Sequence, residues 1–293
     1  MKHKIGIIGH GFVGMAVETG LQSVADVRIY DKYKDTESLY AVVNNSDVLF
    51  VAVPTPMEPD GWCDTSIVIS ACQEIDKNAE TRKSIVIKST VPPGTTQGIS
   101  TLLEGRHGLM FNPEFLTEAN FLEDFLNQDR ILIGSAKECT NLDVVKVIDL
   151  YESFTKTQKE PAFLGEMGSC EAAEMVKYVT NSFLATKVTF FNEIYDICKA
   201  FGIDFEEVTE TTLYDKRIGK SHASVPGPDG MRGFGGKCFP KDVQALIAMC
   251  QHDDVDVMLL ESIWLKNSLV REKQDWYDIK GATTDYGYDT SEE

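Results

Sequence analysis

The stretch "KIGIIGHGFVGMAVETGL", Lys4 to Leu21, decides how the rest of the chain is read. Its opening apolar run ends in glycine, the pattern of a buried strand. The following "FVGMAVETGL" spaces its apolar residues as a helix does. Between them Gly9, Gly11 and Gly14 keep the spacing G-x-G-x-x-G. The first glycine permits a tight turn, the second lets a pyrophosphate approach the backbone, and the third lets helix and strand pack closely. The helix N-terminus then faces the phosphates. Asp31 closes the next apolar run, "DVRIYD". A carboxylate there accepts hydrogen bonds from adenosine ribose hydroxyls and repels a 2′-phosphate. A plain glycine turn and a surface aspartate would give the same letters. The strand-then-helix context favours a dinucleotide cofactor, NAD rather than NADP.

The pattern repeats. "DVLFVAVPTP" (47–56), "KSIVIKSTVPPGT" (83–95) and "DRILIG" (129–134) read as further strands, with helical segments at 65–78 and 140–154 among those between them. Alternating strands and helices predict an α/β, Rossmann-type parallel, doubly wound sheet. The character changes after about residue 165. A long helix is expected from Ser169 to Phe201, with Gly202 placed to stop it. Another follows at 204–213, then a glycine- and proline-rich loop at 219–237, and helices at 240–252 and 255–272. We therefore expect a dinucleotide-binding domain over 1–165 and an all-helical domain over 166–273. The polar, acidic tail over 274–293 is expected to be disordered.

Composition narrows the function. The chain has 293 residues, 43% hydrophobic and 25% charged, and a formal net charge of −18. Such acidity disfavours nucleic-acid binding, which needs a basic footprint. No apolar run is long enough to span a membrane. Seven cysteines without a C-x-x-C argue against a disulfide framework or a structural zinc, and suit a reducing cytosol. The five histidines have no metal-ligand spacing, so no metal is expected.

The sharpest chemical feature is "RGFGGKCFPKD", residues 232–242. Cysteine is usually a buried small hydrophobe, and six of the seven are expected to be so. Cys238 differs, with glycines before it and Lys241 and Asp242 behind it. Glycines permit close approach, and a nearby cation favours a thiolate. Lys177 and Asn181 lie four apart in the long helix and share a face, suited to holding a hydroxyl oxygen, although an exposed helix face shows the same spacing. Glu114 and Glu118 in "FNPEFLTEAN" would share a face if helical. "VPTP" (53–56) and "STVPPGT" (89–95) each follow a strand, at the end where ligands bind in such sheets.

Together these residues resemble the nucleotide-sugar dehydrogenases, most closely those acting on UDP-glucose at C6. The resemblance rests on the glycine fingerprint, "VAVPTP", "STVPPGTT", "FNPEFLTEA", "KYVTNSFLATKVTFFNEI" and "GFGGKCFPKD", in that order, and extends to about residue 272. It implies Cys238 as the nucleophile. Lys177 and Asn181 would stabilise the oxygen at C6. Glu118, with a water near Thr90, would serve as acid and base, and Asp242 would support that network. It implies cofactor contacts from Phe12, Val13, Thr55, Thr90, Glu118 and Lys241 besides the fingerprint residues. Substrate contacts would come from Glu114, Phe115, Leu116, Arg232, Phe234 and Gly235 besides Lys177, Asn181 and Cys238. The implied reaction is a four-electron oxidation of a sugar alcohol to the acid by two NAD, through a thiohemiacetal and a thioester on Cys238. The resemblance also implies a homodimer built on the long helix, and a chain that stops before the family's usual third, UDP-binding domain. Two other readings stand beside it. A two-electron β-hydroxyacid dehydrogenase shares the helical Lys-x-x-x-Asn but has no use for Cys238. A non-catalytic nucleotide-binding remnant has no need of the whole set.

Overall fold

The apolar runs become the buried strands of one sheet in a computed structural model that describes residues 2–284. In chain order the elements are β1 (His3–Ile8), α1 (Phe12–Leu21), β2 (Ala25–Tyr30), α2 (Leu39–Asn44), β3 (Val48–Val51), α3 (Ser66–Asn78), β4 (Ser84–Ile87), α4 (Thr95–Leu102), β5 (Gly108–Phe111), α5 (Phe121–Leu126), β6 (Arg130–Ser135), α6 (Asn141–Thr155), β7 (Phe163–Met167), α7 (Cys170–Phe201), α8 (Phe205–Thr212), α9 (Phe239–His252) and α10 (Met258–Val270). The chain divides into two compact units. One holds the residues up to Thr55 together with Thr65–Lys177, and the other holds Pro56–Asp64 together with the chain from Tyr178 onward.

The first unit contains the sheet, ordered β2-β1-β3-β4-β5-β6-β7. β3, β4 and β5 are buried at every position. That is why they read as continuous apolar runs rather than alternating ones: helices cover both faces. The strand order reverses between β1 and β3, which places a ligand crevice at their carboxyl ends. The sheet departs from the all-parallel expectation at one pair, because β5 and β6 run antiparallel. The only α-helix joining them is α5, of six residues. Gly14 is required by close approach, since a Cβ there would stand 2.2 Å from the Gly9 carbonyl oxygen.

In the second unit Ala185, Phe234, Val243, Ile247 and Ile263 form a core among α7, α9 and α10. Gly202 takes φ 68° after α7, and the Ile203 N–H donates to the Cys198 carbonyl at 2.9 Å, a helix-ending turn of the expected kind. The acidic tail is not disordered at its start. Trp276 is buried in a cluster with Met57 and Ala282. Met57 exchanges backbone hydrogen bonds with Ala282 and Thr284, both of 2.9 Å. Aromatic burial outweighs the polar composition here. The rest of the predicted tail, 285–293, lies outside the described residues.

One joint within the first unit was not foreseen. Gly94, at φ 94°, caps α4 without any side-chain hydrogen bond of its own. Glu174 on α7, with no exposed surface, supplies it. Its carboxyl accepts from the N–H of Gly94 (2.7 Å), the N–H of Thr96 (2.9 Å) and the Thr96 hydroxyl (2.6 Å). Burial pushes the Glu174 carboxyl up to about 7, against those hydrogen bonds, which favour its charge. The folded state therefore holds a proton that the unfolded chain, near 4.5, has released. Stability from this group is full below the unfolded value and is lost as pH rises toward 7, by about 3 kcal/mol at most. Urea unfolding at acid and at neutral pH should show wild type losing more stability with rising pH than Glu174→Gln. Parallel pH slopes for the two proteins would contradict this.

Candidate active site

The glycine turn lies at the carboxyl end of β1. Gly9 takes φ 91°, and a Cβ on it would stand 2.6 Å from the Ala52 carbonyl oxygen. Gly11 has open space around it and caps α1, whose first-turn amides receive no side-chain hydrogen bond from the cap. Those are the features a pyrophosphate needs: room at the backbone and unclaimed N–H donors. Phe12 and Val13, half-buried, begin the helix. Asp31 follows β2 and is oriented by the N–H groups of His10 (2.7 Å) and Tyr33 (2.9 Å). The residues present thus fit an adenosine dinucleotide. Thr55, buried, ends the first segment of this unit.

The remaining expected residues fall into two clusters, one in each unit. In the first unit, Lys177 is buried and donates to the Glu114 carboxylate at 2.9 Å and to the Glu114 carbonyl at 2.8 Å. The other Glu114 oxygen accepts from the Leu116 N–H at 2.6 Å. The Phe115 ring lies 5.6 Å from the Lys177 ammonium and 3.9 Å from the Arg130 guanidinium. Glu114 and Glu118 do not share a helix face. Residues 112–117 form neither helix nor strand, and Glu118 opens a 3₁₀ turn with its side chain exposed. The Leu116 N–H is taken by the Glu114 carboxylate and the Thr117 N–H by that of Asp124 (2.7 Å), so side chains rather than helix carbonyls hold these amides. Thr90 is half-buried in the β4–α4 connection.

Beside this pair lies a buried lysine that sequence reading passed over. Lys88 donates to the Asn112 side-chain carbonyl at 3.0 Å, which also accepts from the Tyr151 hydroxyl at 2.5 Å. Burial pulls the Lys88 ammonium down to about 7; Glu114 opposes this and Lys177 adds to it. In the sequence it is one polar letter at the end of an apolar strand, with no spacing to mark it.

In the second unit, Cys238 caps α9 and is half-buried, with Pro240 in the first turn. Asp242 is 1% exposed. It accepts from the Asn181 side chain and from the Lys241 ammonium, each at 2.5 Å. Burial works against the charge of Lys241, but Asp242 outweighs it and raises the ammonium above its ordinary value. Lys241 stays cationic at neutral pH. That cation and a helix N-terminus both favour negative charge on the Cys238 sulfur. Burial pushes the Cys72, Cys139 and Cys170 thiols up to about 12. Of the six cysteines expected to be buried, Cys139 and Cys250 are only half-buried.

The glycine-rich loop before Cys238 is more tightly tied than its composition suggests. Arg232, expected along the substrate, donates to Asn192 and pairs with Asp196 at 2.7 Å. Phe234 is 3% exposed and belongs to the core. A Cβ on Gly235 would stand 2.2 Å from the Arg271 guanidinium. Among the described residues there is no cluster able to hold a metal ion, and no helix long and apolar enough to cross a membrane.

Comparison with known proteins gives this geometry a family. Residues 15–155 match the NAD binding domain of the UDP-glucose/GDP-mannose dehydrogenase family, and residues 171–268 match that family's central domain. The chain is 35% identical over 249 residues to the UDP-glucose 6-dehydrogenase of Rickettsia prowazekii, covering 82% of this chain and 53% of that protein. It spans about half the length of the curated relatives it matches. The solved UDP-glucose dehydrogenase of Pyrobaculum islandicum superposes with a TM-score of 0.81 at 29% identity, over 92% of this chain and 68% of that one. A 3-hydroxyisobutyrate dehydrogenase from Mycobacterium tuberculosis shares the fold, with a TM-score of 0.72 at 14% identity, over 94% and 96% of the two chains. With its NAD binding domain and central domain both matched, the chain belongs to the UDP-glucose/GDP-mannose dehydrogenase family.

Proposed function

We propose that this chain oxidises the C6 hydroxyl of a nucleotide sugar, UDP-glucose first among the candidates, to the carboxylate. The observation that carries the proposal is the half-buried Cys238 at the start of α9, beside an ammonium that stays charged. NAD, when bound, supplies the hydride acceptor for both oxidations. Lys177 has used two of its three N–H groups on Glu114, which leaves one to hold the sugar oxygen. Asn181, fixed by Asp242, is the second candidate for that oxygen. Glu118, exposed at the start of its turn, exchanges protons through a water near Thr90. The Cys238 sulfur then adds to the aldehyde carbon. A C–S bond forms, and the former carbonyl oxygen takes up a proton. Loss of hydride and of that proton leaves a thioester. Water attacks it, the C–S bond breaks, and the acid and the thiol are released. An alcohol oxidation needs no thiol, whereas oxidation of the aldehyde needs a covalent adduct able to lose hydride. The two-electron reading, which the 3-hydroxyisobutyrate dehydrogenase fold brings to mind, leaves Cys238 without a role.

The long helix supports a further part of the proposal. Val179, Phe183, Phe190, Ile197 and Phe201 of α7 are all exposed. Their spacing of four, seven, seven and four puts them on one face. We assign that stripe to a homodimer. Light scattering at micromolar concentration should give twice the chain mass of 32.6 kDa, and Phe190→Glu should lower it. A wild-type mass of one chain would rule the dimer out.

Substitution of the thiol separates the two oxidations. Serine nearly keeps the size of cysteine but is a far weaker nucleophile at neutral pH. Cys238→Ser should still bind NAD and the nucleotide sugar, while acid formation falls by roughly a hundredfold or more. Product analysis by mass spectrometry should find aldehyde or a slow serine ester in its place. Acid at the wild-type rate from Cys238→Ser would make the cysteine structural.

A further inference from the structure

Glycine occupies positions 227, 230, 233, 235 and 236 ahead of Cys238. Such a backbone has too much freedom to place a nucleophile by itself. In this structure its order comes from side chains of α10 and of the segment just after it, all within the second unit.

Asn267 has no exposed surface. Its side-chain carbonyl accepts from the Phe234 N–H at 2.7 Å, and its amide donates to the Phe234 carbonyl at 3.0 Å. One side chain thus satisfies both backbone groups of one loop residue. Gly233, at φ 69°, lies against the same amide: a Cβ there would be 2.3 Å from the Asn267 oxygen. One turn further along α10, the Arg271 side chain is fully buried and pairs with two carboxylates. Asp229, in the turn "GPDG", is 2.7 Å away, and Asp275, beyond the helix, is 2.8 Å away. Arg271 also donates to the Lys273 carbonyl at 3.2 Å. The backbone of Gly235 lies directly on this pair, since a Cβ there would be 2.2 Å from the guanidinium and 2.3 Å from Asp275. The second Asp275 oxygen accepts from the Gly236 N–H at 3.1 Å. Two residues later comes Cys238.

A buried ion cluster is seldom a net source of stability compared with apolar packing. A guanidinium does supply fixed direction: its planar fork sets the distances among the segments it joins, which a lysine cannot do. We propose that Asn267, Arg271 and Asp275 are positioning residues for Cys238, holding the glycine loop so that the thiol stands in a single place at the N-terminus of α9. The consequence for turnover rests on the reading of Cys238 as nucleophile, but the placement of the thiol can be measured without it.

The test uses the full chain with Asp275→Asn and, separately, Arg271→Lys. Asp275 is partly exposed, so its amide variant should fold even if the arginine variant does not. Alkylation of Cys238 by iodoacetamide is followed by mass spectrometry across the pH range in which thiols ionise, beside the urea unfolding midpoint, kcat and KM. Asp275→Asn should keep the wild-type midpoint and KM for NAD. Its alkylation profile should shift, with the neutral-pH rate changed by about threefold or more, and kcat for acid should fall by about tenfold. Arg271→Lys should change both in the same direction and further. A folded Asp275→Asn with the wild-type alkylation profile and kcat would overturn the proposal, as would a variant that loses only stability. If Cys238→Ser forms acid at the wild-type rate, the functional reading fails, while the alkylation profiles still decide whether these residues place the thiol.

Discussion

The Asp242 carboxylate, 1% exposed, accepts from Asn181 on α7 and from Lys241 beside Cys238. Two side chains depend on that one acceptor. It turns the Asn181 amide, keeps Lys241 charged in a buried place, and ties the first turn of α9 to the long helix. An unpaired carboxylate or ammonium at such depth would give up its charge or destabilise the fold. Lys241 therefore keeps its charge because Asp242 lies against it. This explains why the lysine and aspartate follow the cysteine directly: the first turn of α9 brings thiol, cation and counter-ion together.

The first unit uses the same device. Lys177 is neutralised by Glu114, and Glu174, three residues earlier on α7, is held by the start of α4. The loop "STVPPGT" is thus anchored through a carboxyl whose proton occupancy changes near neutrality. Cofactor recognition in this unit rests on the opposite principle. It needs absent side chains, at Gly9, Gly11 and Gly14, so that backbone amides and open space remain.

What was legible in the sequence was local. The glycine fingerprint encodes a turn by spacing, and the runs that became β1, β3, β4 and β6 encode burial by composition. Gly202 marked the end of α7 because a left-handed residue there favours glycine. The failures were non-local or depended on a single competing residue. β5 has no β-branched residue, and β7 has no buried position and carries a glycine and a glutamate, so neither stands out. Carboxylates of Glu114 and Asp124 took the Leu116 and Thr117 amides, where a helix would have aligned Glu114 with Glu118. Trp276 brought an acidic segment into a core. Glu174 meets Gly94 across 80 positions of chain, and Asn267 meets Phe234 across 33. No periodicity reports such pairs, so the polar groups that anchor both site loops were invisible until the fold was known.

In the proposed mechanism one thiol carries the second of two oxidations at one carbon. The most direct test is the stoichiometry of the wild-type reaction: moles of NADH formed per mole of UDP-glucose consumed, with the product identified by mass spectrometry. The proposed mechanism yields two NADH and UDP-glucuronate. One NADH per sugar, with no carboxylate formed, would contradict it.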